Sequence, residues 1–477
     1  MTSISDNIYS YISSLYGENA AKKFSEFVNE EYTLYLRVNP LKSNSTSLIK
    51  RLKETYSIET EEIPNIPFAL KARSGSEILG KTVEHIIGEY YIQSLSSMIP
   101  PLVLSPKPEE KILDLCAAPG SKTTELGEMM ENIGTLIANE IALDRVKMLI
   151  YNLDRMNLVN AGVVHYKGEW LSKIYSSYFD KILVDAPCSG LGIVQKKGEV
   201  NNWWSKERSE KLGDTQLRLL IAAIKMCKVG GEIVYSTCTL TPEENEFIID
   251  KVLNKYPIEI LDIDLPVKCH EGFTSYNGQN LNPTTSKAKR ILPWEVNSDG
   301  FFIIKLTKTE DVQSPEIEIP KSRDIKLLNY TNKEIIHQLK VLAKEFGISE
   351  SVLSNFNYIL KHNDIFFVND KWEDDNPGLF ERIGTKFGTI DKNGNIILHT
   401  QAAQVLQKEI SNRVVELENI NDLKKYLDGG IIKSLNKFSG QVIIKFKDII
   451  IGTALSSDNG IKSRFPRAKR TQEIIVQ

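Results

Sequence analysis

The sequence predicts an α/β fold: a doubly wound, Rossmann-like core with a small α+β unit ahead of it and a further α+β region behind it. Three observations lead there. Short, nearly unbroken apolar runs alternate with helical stretches from residue 111 onward, the pattern of a parallel sheet covered on both faces. A turn of small residues, DLCAAPGSKTT (114–124), joins the first run to the first helix. A polar, proline-bearing stretch, residues 308–324, divides this core from the rest. At 477 residues the chain is too long for one hydrophobic core, and 41% hydrophobic with 25% charged residues is the composition of soluble globular protein.

Taken in order, residues 1–85 read as the α+β unit: polar helices near 6–29, a strand over YLRVN (35–39), a helix over 47–56, and extended pieces punctuated by Pro40, Pro64 and Pro67. The core spans 86–308. Its strands are expected at 111–115, 135–140, 163–166, 181–187, 231–238 and 301–306, and its helices at 122–130, 143–156 and 216–227. Thr241 as N-cap, Pro242 at the first helical position and Glu244 closing a capping box are expected to open one more helix. A linker over 309–325 leads to residues 326–477, helical first and strand-rich later, with 442–455 patterned as a hairpin.

The N-terminal stretch has neither a basic leader nor an apolar segment, and no run approaches the roughly 20 apolar residues that cross a bilayer, so no membrane association and a cytoplasmic address are expected. The five cysteines, Cys116, Cys188, Cys227, Cys238 and Cys269, include no CxxC pair and no Cys/His cluster at zinc spacing; neither a disulfide framework nor a metal site is expected. A net charge of −3 argues against indiscriminate polyanion binding, though a whole-chain sum hides local patches.

The small-residue turn lies at the carboxyl end of the first core strand, where open α/β sheets bind ligands. Gly120, with Ala117, Ala118 and Ser121, lets a ligand approach the backbone, and the following helix offers free amides. The spacing is neither GxGxxG nor a phosphate loop ending in GK[ST], which disfavours a dinucleotide or ATP. Glu140, ending the second strand, is placed to accept both hydroxyls of a nucleoside ribose; taken alone it is equally an ordinary strand-end carboxylate. Cys188, in DAPCSG (185–190), and Cys238, closing STC (236–238), leave the fourth and fifth strands at the same sheet edge. A buried cysteine is ordinarily a small hydrophobe, which suits Cys227 within its helix and Cys116. The strand-exit pair points instead to nucleophilic catalysis beside a cofactor, and Asp185 is either a partner for the substrate or a strand-end cap.

These residues, in this order, resemble the successive motifs of the RNA cytosine-5 methyltransferases: DLCAAPGSKTT, NE (139–140), DAPCSG, YSTCT (235–239) followed by PEENE (242–246), and RILPWEVNSDGFFIIKL (290–306). LRVNPLK (36–42), GKTVEHIIGEYYIQSLSSMIP (80–100) and the C-terminal extension are most similar to the bacterial 16S ribosomal RNA enzymes of that family. The likeness is weakest between 308 and 395.

The resemblance implies a class I methyltransferase core that uses S-adenosyl-L-methionine to methylate carbon 5 of a cytosine in RNA, with ribosomal RNA, free or within the small subunit, as the first expectation and transfer RNA as the second. It implies that Cys238 is the nucleophile, that Cys188 assists product release, and that Asp185 and Lys122 face the target base. The cofactor would be held by Cys116, Ala117, Ala118, Pro119, Gly120, Ser121 and Lys122, with Glu140, Arg145, Lys167, Asp185 and Pro187. At Lys167 the chain departs from the family, which carries an aspartate there for the adenine amino group; Glu169 or the backbone is left to make that contact. The implied chemistry accounts for the thiols. Carbon 5 of cytosine is too weak a nucleophile to attack a sulfonium methyl until a thiolate adds to carbon 6 and makes it enamine-like. A base must then take the carbon 5 proton, with Cys188, Asp185 or water as candidates. Lys122 or nearby amides would favour the Cys238 thiolate.

By the same resemblance, residues 396–477 form a PUA-like RNA-binding module and residues 1–85 the family's N-terminal RNA-binding unit. The tail GIKSRFPRAKR (460–470) sets cations around Phe465, suited to phosphate contacts and base stacking, and Lys287, Lys289 and Arg290 would extend that surface. A monomer is expected. The competing classes are a non-catalytic RNA-binding assembly factor, which has no reason to keep both thiols, and a small-molecule or protein methyltransferase, which would not need the basic module.

Overall fold

The apolar runs beyond residue 111 do assemble into a largely parallel sheet. The computed structural model describes residues 4–312, 324–433, 438–470 and 473–475, so most of the expected linker, residues 313–323, lies outside the described residues. The strands of the largest sheet are, in chain order, β1 (Lys111–Asp114), β2 (Thr135–Asn139), β3 (Ala161–Val164), β4 (Phe179–Asp185), β5 (Cys227–Thr237), β6 (Ile258–Leu261), β7 (His270–Glu271), β8 (Lys289–Ile291), β9 (Phe301–Lys308) and β10 (Arg382–Ile383). They lie in the order β7-β8-β9-β5-β4-β1-β2-β3-β10, with β6 paired to β9. The run β5-β4-β1-β2-β3 is parallel, and β9 adds antiparallel to β5. Chain order reverses between β1 and β4, so the turns leaving these strands diverge and open a crevice at their carboxyl ends.

The helices that cover the sheet include α1 (Ser121–Met129), α2 (Leu143–Met156), α3 (Lys206–Met226) and α4 (Glu246–Leu253). One face buries Leu113, Ile182, Ile233 and Phe302 with Leu220 and Ile224 of α3; the other buries Ile112, Leu136, Leu183 and Val234 with Leu126 of α1 and Leu149 of α2. Burial of each such side chain stabilises by about 1.5–3 kcal/mol.

Several boundaries differ from expectation for local reasons. Helix α3 begins at Lys206 rather than 216, because the Ser205 hydroxyl caps it and small or polar residues, Ser209, Gly213 and Gln216, fill its buried face where no apolar stripe signals a helix. Cys227 is not inside that helix: it is the extended first residue of β5, though fully buried as a small hydrophobe. Strand β3 starts at Ala161, two residues before the branched pair that marked it. The segment after Thr241 makes only a 3-10 turn, Pro242–Glu244, before α4, and Thr241 makes no side-chain capping bond.

Among the described residues this sheet is accompanied by the two-stranded ribbon Ser275–Tyr276 with Gln279–Asn280 and by three larger sheets. Antiparallel strands Thr60–Glu62, Ala69–Ala72, Tyr35–Val38 and Tyr90–Ile92 form the N-terminal one. Phe356–Lys361, Asp364–Asn369, Thr385–Ile390 and Ile396–Leu398 form the second. The third holds five strands, including the hairpin Gly440–Phe446 with Ile449–Ser457. The C-terminal region also completes the catalytic core: β10 pairs with β3, and Trp372, Phe380 and Ile383 are buried in the same cluster as β1 and β4.

Candidate active site

Two turns and one loop meet at the crevice: 115–120 after β1, 186–190 after β4, and 238–241 after β5. The first is held rigidly. The Ala117 amide donates to the Asn139 carbonyl (2.8 Å), the Thr123 hydroxyl donates to Asp114 Oδ2 (2.7 Å), and the Asn152 side chain donates to the Pro119 carbonyl (2.8 Å). Gly120, which precedes α1, has φ +110°, and a Cβ there would press on Leu149 at 3.1 Å, so glycine is required.

Lys122 is buried, pairs with Asp185 Oδ2 at 2.8 Å and also donates to Ser97 Oγ at 3.1 Å. Burial alone would lower the ammonium's pKa; the Asp185 charge reverses this and holds it above the ordinary lysine value. The Ser236 hydroxyl donates to the other oxygen of Asp185 (2.8 Å), which fixes the carboxylate at the tip of β4. Cys188 and Cys238 are free thiols with sulfurs 3.1 Å apart. The Cys188 thiol is held well above the usual range, first by its hydrogen bond to Cys238 and then by burial. Gly192 donates from its amide to the Cys238 carbonyl (3.0 Å), and a Cβ at Gly192 would stand 2.8 Å from that oxygen and 2.4 Å from the Gly300 carbonyl.

At the other end of the crevice Glu140 is buried, accepts from the Ala142 amide (2.9 Å) and pairs with Arg145 (3.1 Å), which also bonds the Ala118 carbonyl. Beyond it a cavity of about 330 Å³ is lined by Ile141, His165, Tyr166, Lys167 and Trp170, with the Tyr166 and Trp170 rings stacked at 4.3 Å. Glu169, the alternative to the missing aspartate, is not among those residues; it pairs with Arg218 of α3 at 3.0 Å. Pro119 and Pro187 are exposed at the rim, Ser121 and Cys116 are half-buried, and the Cys116 thiol is pushed up by burial and by the Asp114 and Asp185 charges.

Three contributors escaped the sequence reading. Asp114 is buried, its pKa raised to about 7 chiefly by burial, and among the described residues its Oδ1 has no hydrogen-bond partner. Arg37, from the N-terminal sheet, is buried against Glu128 (2.9 Å) and donates to the Ser121 carbonyl (2.7 Å) and Thr124 Oγ1 (2.8 Å), fastening that sheet to the start of α1. Glu244 receives hydrogen bonds from both cysteine-bearing loops. Only the spacing of PEENE singled out Glu244, and it did so for a capping role the structure does not show.

The expected basic surface is corrected in part. Phe465 is 1% exposed and packs on Tyr426 in the core of the third sheet; Lys469 is buried and donates to the Ile86 carbonyl (2.9 Å). Arg290 is buried in an ion pair with Glu246. Apolar neighbours outweigh the tail's sequence polarity at these positions, whereas Lys462, Arg464 and Arg467 are exposed. Among the described residues no helix is long and apolar enough to cross a membrane.

The doubly wound core, with its reactive groups gathered at the strand ends, is of the class that the comparisons with known proteins name, the methyltransferases. Residues 101–307 match the family model of the 16S rRNA methyltransferases RsmB/F. Ribosomal RNA small subunit methyltransferase F of Shewanella piezotolerans is 30% identical over 441 residues, covering 91% of this chain and 90% of the relative. The tRNA (cytosine(49)-C(5))-methyltransferase of Pyrococcus abyssi is 38% identical over 291 residues, 59% of this chain and 92% of that one. A solved methyltransferase homolog from Pyrococcus horikoshii superposes with a TM-score of 0.56 at 32% identity, covering 63% of this chain and 93% of the other. The chain belongs to the family of the 16S rRNA methyltransferases RsmB/F.

Proposed function

We propose that this protein transfers a methyl group from S-adenosylmethionine to carbon 5 of a cytosine in 16S ribosomal RNA, with Cys238 as nucleophile. The observation that carries this is the pair of free thiols 3.1 Å apart at the ends of β4 and β5, beside the ion pair of buried Lys122 with Asp185. The relatives that cover most of the chain are named for small-subunit ribosomal RNA, which favours that substrate over transfer RNA.

The residues present fit the methyl donor. Asp114 Oδ1 is a buried acceptor seeking a donor, Glu140 has lone pairs to spare for ribose hydroxyls, and the cavity beside Lys167 has room for an adenine. S-adenosylmethionine supplies an electrophilic methyl group when bound. The chain's own residues do the rest. The Cys238 thiolate adds to carbon 6 of the cytosine, and the electron pair released onto carbon 5 takes up the methyl group. Asp185 accepts from the exocyclic amine while the Lys122 ammonium offsets the negative charge that builds on the ring. A base then takes the carbon 5 proton, the electrons of that C–H bond restore the carbon 5–carbon 6 double bond, and the carbon 6–sulfur bond breaks to return the Cys238 thiolate; Asp185, water or an ionised Cys188 receives the proton. Exposed Lys462, Arg464 and Arg467 remain to meet phosphates.

The test is to incubate the purified protein with the donor and unmodified small-subunit RNA, free or as subunits, then digest the RNA and analyse its nucleosides. New 5-methylcytidine that exceeds the yield on transfer RNA supports the reading. Methylation of transfer RNA alone would move the substrate, and no 5-methylcytidine from either would overturn it.

A further inference from the structure

We propose that Glu244 is the positioning residue that gives the two thiols unequal roles, by clamping the loop that carries Cys188 onto the loop that carries Cys238. The inference rests on the reading above of Cys238 as nucleophile and Cys188 as the group that assists release.

Glu244 closes the short turn Pro242–Glu244, and its side chain is fully buried. On the Cys188 side, the Ser189 amide and Gln216 Nε2 each donate to Glu244 Oε2 at 2.8 Å, and the same Gln216 nitrogen donates to the Pro187 carbonyl at 2.9 Å. On the Cys238 side, the Thr241 hydroxyl donates to Oε1 at 2.9 Å. A second tie joins the Ser189 and Thr239 hydroxyls, 2.9 Å apart. The Tyr235 hydroxyl donates to the Glu244 carbonyl (2.7 Å) and anchors the clamp to β5. Thus the neighbours of Cys188 on both sides, and those that follow Cys238, are referred to one carboxylate.

Among the described residues no lysine or arginine pairs with Glu244, so burial is compensated by hydrogen bonds alone, each of them from a residue at the two loops or from Gln216. Removing the carboxylate leaves those donors buried and unsatisfied, so the loops separate. The Glu244 charge also adds to the Cys238 hydrogen bond and burial in keeping Cys188 as a protonated thiol. Cys188 is thereby presented to Cys238 as a donor rather than a rival nucleophile. Losing the clamp leaves Cys238 on its strand end able to form the adduct, while Cys188 is no longer placed to resolve it.

The experiment compares E244A, E244Q, Cys188→Ala and wild type with the methyl donor and unmodified 16S RNA on a denaturing gel, with donor affinity measured in parallel. E244A is expected to bind the donor normally, turn over about 100-fold more slowly, as a misplacement near 1 Å costs, and accumulate an RNA-shifted band like that of Cys188→Ala. E244Q keeps an acceptor for Ser189 and a polar group for Thr241, and is expected to turn over without a persistent band. A purely structural residue would not move band lifetime. E244A turning over like wild type, or losing band and donor binding together, overturns the assignment. Should E244A fail to fold, Gln216→Leu, which removes one donor and the Pro187 tie, is expected to retain the band to a smaller degree, and its absence there also overturns it. No band in Cys188→Ala itself removes the underlying reading and this assignment with it.

Discussion

Lys122 and Lys469 are both buried, at 7% and 3% exposure, yet they sit in opposite electrostatic settings. Lys122 meets the Asp185 carboxylate at 2.8 Å and is held charged; Lys469 meets a backbone carbonyl, and burial first, then the like-charged Arg155, brings its pKa down to about 8. The first is part of a charge pair aimed at the crevice between the strand ends. The second is a packing residue at the junction of the C-terminal sheet with the helix Val83–Ile87. A cation in the sequence therefore says little until its counter-ion is known, and the sharpest tests set these two ends of the molecule against each other.

The largest effect is expected at the catalytic end. Lys122→Met leaves Asp185 without its cation and removes the charge that offsets the developing ring anion, so single-turnover methylation should fall by about 10²–10³-fold while the melting temperature moves little, Asp185 being partly hydrated. At the other end Phe465→Ala should do the reverse. It should cost about 3–5 kcal/mol in denaturant unfolding of the C-terminal sheet, with RNA affinity unchanged wherever the variant is folded. A loss of RNA affinity at unchanged stability would restore Phe465 as a stacking surface.

Lys469→Met tests the junction by its pH dependence. The folded pKa of Lys469, about 8, lies below its unfolded value, so its contribution is present above the unfolded pKa and is lost as pH falls through about 8. The stability of Lys469→Met relative to wild type should therefore rise as pH falls from about 10.5 to about 8, by about 1.4 kcal/mol per pH unit at most, and stay level below that. A flat difference between pH 10.5 and 8 would show that the lysine is not desolvated. The smallest change is expected for exposed Arg464→Ala, which should weaken RNA binding uniformly and reduce its salt slope by about 1.

The contrast also marks what the sequence could reveal. The strand ends were legible because small residues, Glu140, Asp185 and the two cysteines must follow short apolar runs, and a parallel sheet delivers every such turn to one edge. The C-terminal tail was misread because alternating cations and one aromatic look alike whether they face solvent or a neighbouring unit. Arg290 was misread for the same reason, its partner Glu246 lying far off in sequence order but adjacent across the fold. Strand β10 had no signal at all, being two residues whose pairing with β3 depends on a long-range approach. Deletion of residues 326–477, a natural way to separate RNA recognition from cofactor binding, would also strip Trp372, Phe380 and Ile383 from the catalytic core.

The account stands or falls on the chemistry assigned to Cys238. The most direct measurement is tandem mass spectrometry of the Cys188→Ala protein after reaction with donor and unmodified 16S RNA, followed by nuclease and protease digestion. A methylated cytidine attached to the peptide that contains Cys238, and lost in a Cys188→Ala, Cys238→Ala double variant, is the predicted result. An adduct on any other residue, or 5-methylcytidine formed by the Cys238→Ala protein, would contradict it.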